Sequence, residues 1–206
     1  MSSDPVVALV LAAGFGRRFG SDKRQATLAD GRTLLQATLA SVAEVYSAVF
    51  VVLRETDDPR QLGVTEPVGV VRAANAGRGL GASLADGVSA LQLAGIEAEA
   101  LAVVLGDMPW IAQSSHRRLA RLATHDRILR PIYNGRSGHP VLFGRDFWPR
   151  LQGLDGDEGA RAVLQLQPQA CMRVELSDPN IIRDVDTVAG LACEPEPVDS
   201  KALLSE

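Results

Sequence analysis

Four side chains in this sequence suit chemistry on phosphate: two basic residues, Arg18 and Lys23, and two distant aspartates, Asp107 and Asp186. The basic pair sits in Leu11-Ala-Ala-Gly-Phe-Gly-Arg-Arg-Phe-Gly-Ser-Asp-Lys23, directly after the apolar run Pro5 to Val10. A buried strand therefore empties into a glycine-rich, basic loop, the layout of a site for a nucleoside triphosphate. Gly14, Gly16 and Gly20 lack a Cβ, which lets peptide N–H groups turn inward toward phosphate oxygens. Arg17, Arg18, Lys23 and Arg24 against Asp22 give the loop a local charge of +3 on a chain whose net charge is −4. A basic loop on an acidic chain points to a local anionic ligand. The cations do not form the extended stripe that tracks a nucleic-acid backbone, so no nucleic acid is expected.

Spacing separates the rival phosphate loops. A Walker loop needs its second glycine after four intervening residues, followed by Lys-Ser or Lys-Thr. Here Phe19 stands at that place, and Lys23 is followed by Arg24. A dinucleotide fingerprint needs glycines at its first, third and sixth places, and the sixth is again Phe19. A tight strand-to-helix turn with solvated arginines remains the alternative for this stretch seen alone.

The pattern Leu-Ala-Ala-Gly-x-x-x-Arg-x-Gly-x-x-Lys at Leu11 to Lys23 resembles the signature loop of nucleotidyltransferases built on a Rossmann-like α/β domain. Within that MobA/MocA-like group it is most similar to the molybdenum cofactor cytidylyltransferases. Further stretches follow in the family's order: Gly79-Leu-Gly-Ala-Ser-Leu-x-x-Gly87, Leu105-Gly-Asp-Met-Pro109, Gly138-His-Pro140, Gly156-Asp-x-Gly-Ala-Arg161 and Asp184-Val-Asp-Thr187. The sequence departs from the family after Asp186, where Pro-Glu-Asp-Leu is replaced by Val188-Ala-Gly-Leu191.

The resemblance implies Mg²⁺-dependent transfer of a nucleotidyl group, CMP from CTP, to the terminal phosphate of a molybdopterin-type acceptor. Arg18, Lys23 and Asp107 are the catalytic candidates, and Asp107 with Asp186 the metal ligands. The nucleotide would lie on Leu11, Ala12, Ala13, Gly14, Gly79 and Ser83. Magnesium prefers a nearly octahedral shell, usually with one or two carboxylates and phosphate oxygens or water for the rest. A phosphate monoester is already ionised at neutral pH, so no activated serine, cysteine or histidine is required. The transition state instead needs positive charge and in-line alignment. Family members that use GTP generally carry Leu-Ala-Gly-Gly, and the methyl at Ala13 is expected to favour the smaller pyrimidine over GTP. His139 and Asp157 are candidates on the acceptor side, with Arg130 and Arg161 in similar segments. A partner molybdoenzyme would receive the product.

Each residue also has a structural alternative. Asp107 could be a strand-end turn or helix cap, Asp186 an N-cap, the Gly79 stretch a glycine-rich helix start, and Gly156 to Arg161 a capped helix. Two other functions remain: a nucleotidyltransferase with another nucleotide or a sugar-phosphate acceptor, and a non-catalytic chaperone that hands on a cofactor.

The elements that must position these residues alternate. Apolar runs at 6 to 11, 48 to 53, 68 to 71 and 100 to 106 predict buried strands. Residues 33 to 45, 81 to 94 and 114 to 124 carry helical spacing, with Ser114 or Ser115 as N-cap of the last. This is a βαβ series with a mostly parallel sheet, the three-layer α/β class. Strands at 128 to 133 and 140 to 143 flank a polar turn and predict a small β excursion, a lid or side wall over the site. Short helices near 145 to 152 and 157 to 166 and a strand at 171 to 176 complete the pattern. Residues 1 to 193 are expected to form one domain, long enough to bury a substantial core, and 194 to 206 an acidic mobile tail. Cys171 and Cys193 have neither metal-type nor disulfide-scaffold spacing. No secretory signal or stretch of roughly 20 apolar residues is found, so no membrane association and a cytoplasmic location are expected.

Overall fold

The computed structural model of the chain describes residues 5–15, 19–185 and 188–191. Arg17, Arg18, Asp186 and the 194–206 tail lie outside the described residues.

The core begins with β1 (Val6–Leu11), six apolar residues buried on both faces. Its side chains alternate between two clusters: Val7, Leu9 and Leu11 point to one, Val6, Ala8 and Val10 to the other. This is the period of two that a strand imposes. Around β1 are β2 (Val49–Arg54), β3 (Gly69–Ala73) and β4 (Ala100–Leu105), all parallel, in the order β3-β2-β1-β4. Helices α1 (Leu34–Ala43) and α3 (Gln113–Leu122) supply Leu35, Leu39 and Leu119 to one face. Helices α2 (Leu80–Leu93), α4 (Trp148–Gln152) and α5 (Arg161–Leu166) supply Leu84, Val88, Trp148 and Val163 to the other. The three layers follow because strands apolar on both sides must be covered on both.

The second half of the sheet mixes directions. Strand β5 (Ile128–Tyr133) turns through Asn134-Gly135 into β6 (Arg136–Ser137), and β7 (Val141–Gly144) follows. Strand β7 inserts antiparallel between β4 and β5. Strand β8 (Cys171–Glu175) pairs parallel with the other edge of β5. The expected β excursion is therefore a member of the main sheet, and none of its residues lines the cavity described below. Sequence periodicity does not reveal this, because an antiparallel strand buried on both faces has the same apolar run as a parallel one.

Two local expectations are corrected. Neither Ser114 nor Ser115 caps α3; its N-cap is Ala112, with no side-chain cap. The buried carboxylate of Asp178, from far along the chain, holds the helix entry instead, accepting from the backbone N of the N-cap residue Ala112 at 2.8 Å and from Ser115 Oγ at 2.9 Å. Helix α5 starts at Arg161 behind Ala160, so Asp157 does not cap it.

Candidate active site

Parallel strands that end in register place their following loops side by side, and ligands in open α/β sheets bind at that edge. Leu11 of β1 pairs with Leu105 of β4 on one side and Val52 of β2 on the other. The loop after β1 thus lies between Asp107, two residues beyond β4, and Arg54, the last residue of β2. Gly106 permits this proximity: a Cβ there would stand 3.0 Å from Leu11 O and 3.1 Å from the Ala12 methyl.

Above this edge opens a cavity of about 470 Å³ whose walls include Leu11 to Phe15, Lys23, Gly79, Ser83, Asp107 and Asp157. Its volume suits a small-molecule ligand. The structure thus gathers most of the predicted residues at one place. His139 does not line the cavity; it is partly buried, with Nδ1 3.5 Å from Val103 O. Burial pushes the His139 pKa down, against upward pulls from Val103 O, Asp107 and Asp184.

Lys23 follows Asp22 into a short 3-10 turn, Lys23–Gln25, whose first backbone bonds Asp22 accepts. Its Nζ donates to Asp107 Oδ2. The other carboxylate oxygen, Asp107 Oδ1, is buried and has no hydrogen-bond partner among the described residues. A buried, unsatisfied carboxylate oxygen costs desolvation free energy unless a cation or donor meets it. The chain returns to this point before Asp186: Val185 N donates to Asp107 O at 3.1 Å. No group of three or more possible metal-ligating His, Cys, Asp or Glu is found among the described residues. Magnesium bound through one or two carboxylates and ligand phosphates requires no such cage, so Asp107 fits that mode.

The opposite wall is built by glycine. Gly79, N-cap of α2, has φ +125° and ψ −174°, a region essentially restricted to glycine. A Cβ there would stand 2.4 Å from Asp157 Oδ1 and 2.5 Å from Gly156 O. The segment 155–157 lies flat on this helix start, with Gly81 N donating to Gly156 O at 2.8 Å. Arg78 pairs with Asp155 across the rim. Asp157 therefore stands beside the residues expected to hold the nucleotide, while the Ser83 hydroxyl donates to Gly79 O at 3.1 Å.

The charge of the first loop is smaller than its sequence suggests. Arg24 is not solvated; it is 5% exposed and bound by Asp22 and by Asp57. Burial alone would lower its pKa, but the bonds from these two carboxylates outweigh it and raise it. The bond from Arg24 holds Asp22 below the usual carboxylate range. Asp57 is held low as well, its burial outweighed by bonds from Arg24 and the Arg54 backbone. Sequence reading passed over Arg54 and Asp57, although charged residues at the carboxyl end of β2 obey the rule that drew attention to Asp107.

With this geometry in place, comparison with known proteins decides the family. Residues 8–172 match the MobA-like NTP transferase domain. The chain belongs to this family. Among curated relatives, a nicotine blue oxidoreductase of Paenarthrobacter nicotinovorans is 27% identical, over 89% of this chain and 93% of that protein. A probable molybdenum cofactor guanylyltransferase of Mycobacterium tuberculosis is also 27% identical, over 94% of each. Among solved structures, Rv0371c from Mycobacterium tuberculosis superposes with a TM-score of 0.79 at 26% identity, covering 93% of this chain and 97% of that one. A 4-diphosphocytidyl-2C-methyl-D-erythritol synthase shares the fold at 16% identity, with a TM-score of 0.71 over 93% and 97% of the two chains. Membership makes the chain a nucleotidyltransferase-family protein with a Rossmann-like sheet. Among the described residues no helix is long and apolar enough to cross a membrane.

Proposed function

We propose that this protein transfers CMP from CTP to the terminal phosphate of a molybdopterin-type acceptor and releases pyrophosphate. The carrying observation is Asp107: one oxygen buried without a partner among the described residues, the other bound by Lys23, both beside the glycine loop. An acceptor phosphate oxygen forms a bond to the α-phosphorus as the bond from that phosphorus to the pyrophosphate oxygen breaks. The acceptor is already ionised, so the protein has no proton to remove.

Asp107 and Asp186 are the residues that would hold Mg²⁺. When bound, the ion offsets triphosphate charge and aligns its oxygens. Lys23, with Arg18 from the same loop, supplies positive charge as pyrophosphate leaves. The loop from Leu11 to Gly14 and the facing Gly79 to Ser83 turn orient the nucleotide between them. His139 and Asp157 are proposed on the acceptor side. The mycobacterial relative carries a guanylyltransferase name, so base choice rests on Ala13. That residue is 1% exposed and belongs to the cluster containing Ala73, Ala76 and Leu84. A methyl there fills wall space that glycine would leave to a purine.

The test is pyrophosphate release with CTP and GTP, each against molybdopterin and against sugar phosphates. Asp107→Asn is expected to lower kcat on the order of a hundredfold or more. Unchanged turnover removes Asp107 from the mechanism, and turnover only with sugar phosphates replaces the acceptor.

A further inference from the structure

We propose that Arg24 and Arg54 are positioning residues for the nucleotide, holding the carbonyls of Ala12, Ala13 and Gly14 so that the N–H groups after them turn toward the ligand. This rests on the nucleotidyl-transfer reading and deepens it.

Arg24 spends every donor of its guanidinium. Nε donates to Asp22 Oδ1 at 2.8 Å, and Nη2 to Asp22 Oδ2 at 2.5 Å and Asp57 Oδ1 at 2.8 Å. Nη1 donates to Asp57 Oδ2 at 2.5 Å and to Ala12 O at 2.9 Å. Two carboxylates thus fix the planar fork, and its remaining donor is aimed at one loop carbonyl. Arg54 takes the next two, with Nε donating to Ala13 O at 3.1 Å and Nη2 to Gly14 O. Asp57 links the arginines, since its Oδ2 also accepts from Arg54 N at 2.9 Å. Arg72 ties the β2 turn from outside through Arg54 O at 3.0 Å and Asp57 O at 2.5 Å. The Arg54 guanidinium lies over the Phe15 ring, 4.5 Å from its centroid, and extends the hold one residue further.

The consequence follows from peptide planarity. In a trans peptide the C=O and the following N–H point in opposite directions, and the cis bonds of the described chain lie elsewhere, at Glu66-Pro67 and His139-Pro140. Three carbonyls bound by arginines therefore turn the N–H groups of Ala13, Gly14 and Phe15 away from those arginines, and these residues line the cavity. An anion favours a surface of N–H groups and is repelled by carbonyl oxygens. The arginines keep the wrong end of each peptide occupied, and their charge-assisted bonds are stronger than neutral ones. Because the loop would hold the nucleotide in ground and transition state alike, loss of the clamp acts on nucleotide binding more than on turnover.

Arg54→Met and Arg54→Lys in the full chain test this, read by calorimetric titration with CTP and GTP and by KM and kcat for nucleotide and acceptor separately. Urea midpoints of each variant separate loss of fold from loss of binding. For whichever nucleotide the wild type binds more tightly, Arg54→Met is expected to raise Kd and KM about tenfold, on the scale of lost charge-assisted bonds. Its kcat is expected to stay within about threefold and its acceptor KM to stay unmoved. Lysine, able to reach one carbonyl, recovers part of the affinity. A folded Arg54→Met that binds nucleotide within about twofold of wild type overturns the proposal, since a lost charge-assisted bond should show. Wild type that binds nucleotide tightly but transfers nothing overturns the transfer reading alone, with the clamp still judged by Kd. Wild type that binds neither nucleotide overturns both.

Discussion

Replacing Gly79 with alanine attacks the site wall through a single methyl. The backbone there occupies a region essentially closed to residues with a Cβ, at a cost of about 1–3 kcal/mol. The added carbon would also stand 2.5 Å from both the carbonyl carbon and oxygen of Gly156. These are backbone atoms, which cannot rotate aside as a side-chain end can, so the 155–157 segment must lift. Lifting it breaks the bond from Gly81 N to Gly156 O, worth about 0.5–1.5 kcal/mol net. The Arg78–Asp155 pair that goes with it is more than half exposed on both sides and adds little. The combined destabilisation is about 1.5–4.5 kcal/mol, taking the backbone and hydrogen-bond contributions together. Urea unfolding should show a lower midpoint, and titration with CTP weaker binding, because Asp157 and the start of α2 move apart. Gly77 is the control: a Cβ there meets nothing within 4 Å, and Gly77→Ala should leave stability within about 0.5 kcal/mol of wild type. Equal midpoints for Gly79→Ala and wild type would refute the reasoning, since strain and contact both demand a shift.

Further expectations follow from particular residues. His116 is buried in α3 beside Tyr46, whose hydroxyl lies 3.3 Å from its Nδ1, and burial pushes its pKa down to about 4 from 6.5. The unfolded chain then binds the extra proton between these values, so His116 contributes stability that is complete above about pH 6.5 and lost as pH falls toward 4, by about 3 kcal/mol. His116→Gln should flatten that part of a stability-against-pH curve, and an unchanged slope would clear His116 of the effect. Arg24→Met leaves Asp57, whose side chain is 9% exposed, with Arg54 as its remaining partner; thermal and urea unfolding should register a loss below the roughly 3–5 kcal/mol of a fully unpaired buried charge. Asp57 has its pKa depressed in the fold, so the contribution of this pair is present above the ordinary carboxylate value and fades in acid. Ala13→Gly should raise kcat/KM for GTP relative to CTP about tenfold, the scale of one methyl in an apolar wall; an unmoved ratio places base choice elsewhere.

Much of the frame was legible in the sequence because the responsible forces act between near neighbours. The runs that became β1, β2 and β4 are short, apolar and β-branched, and their bounds agree with expectation within about two residues, the usual uncertainty of strand ends. Asp107 stood out because a carboxylate after a buried strand must emerge at the sheet edge. Other features depend on partners distant in sequence. No local rule pairs β7 with β4 rather than placing it above the site, or brings Asp178 to the start of α3 to bond Ala112 N and the Ser115 hydroxyl.

The sequence by itself determined an alternating α/β chain, a glycine-rich basic loop after the first strand and an acidic residue at the end of a later one, because backbone periodicity and glycine geometry are local properties. Tertiary structure alone decided what each of these charges does at the cavity. Arg24 carries the same charge as Lys23 and follows it directly, yet Lys23 reaches Asp107 while Arg24 turns to Asp22 and Asp57. The reason is electrostatic: a buried guanidinium must find carboxylates to offset its lost hydration, and Asp57, 33 residues away, comes within reach only when β2 pairs with β1.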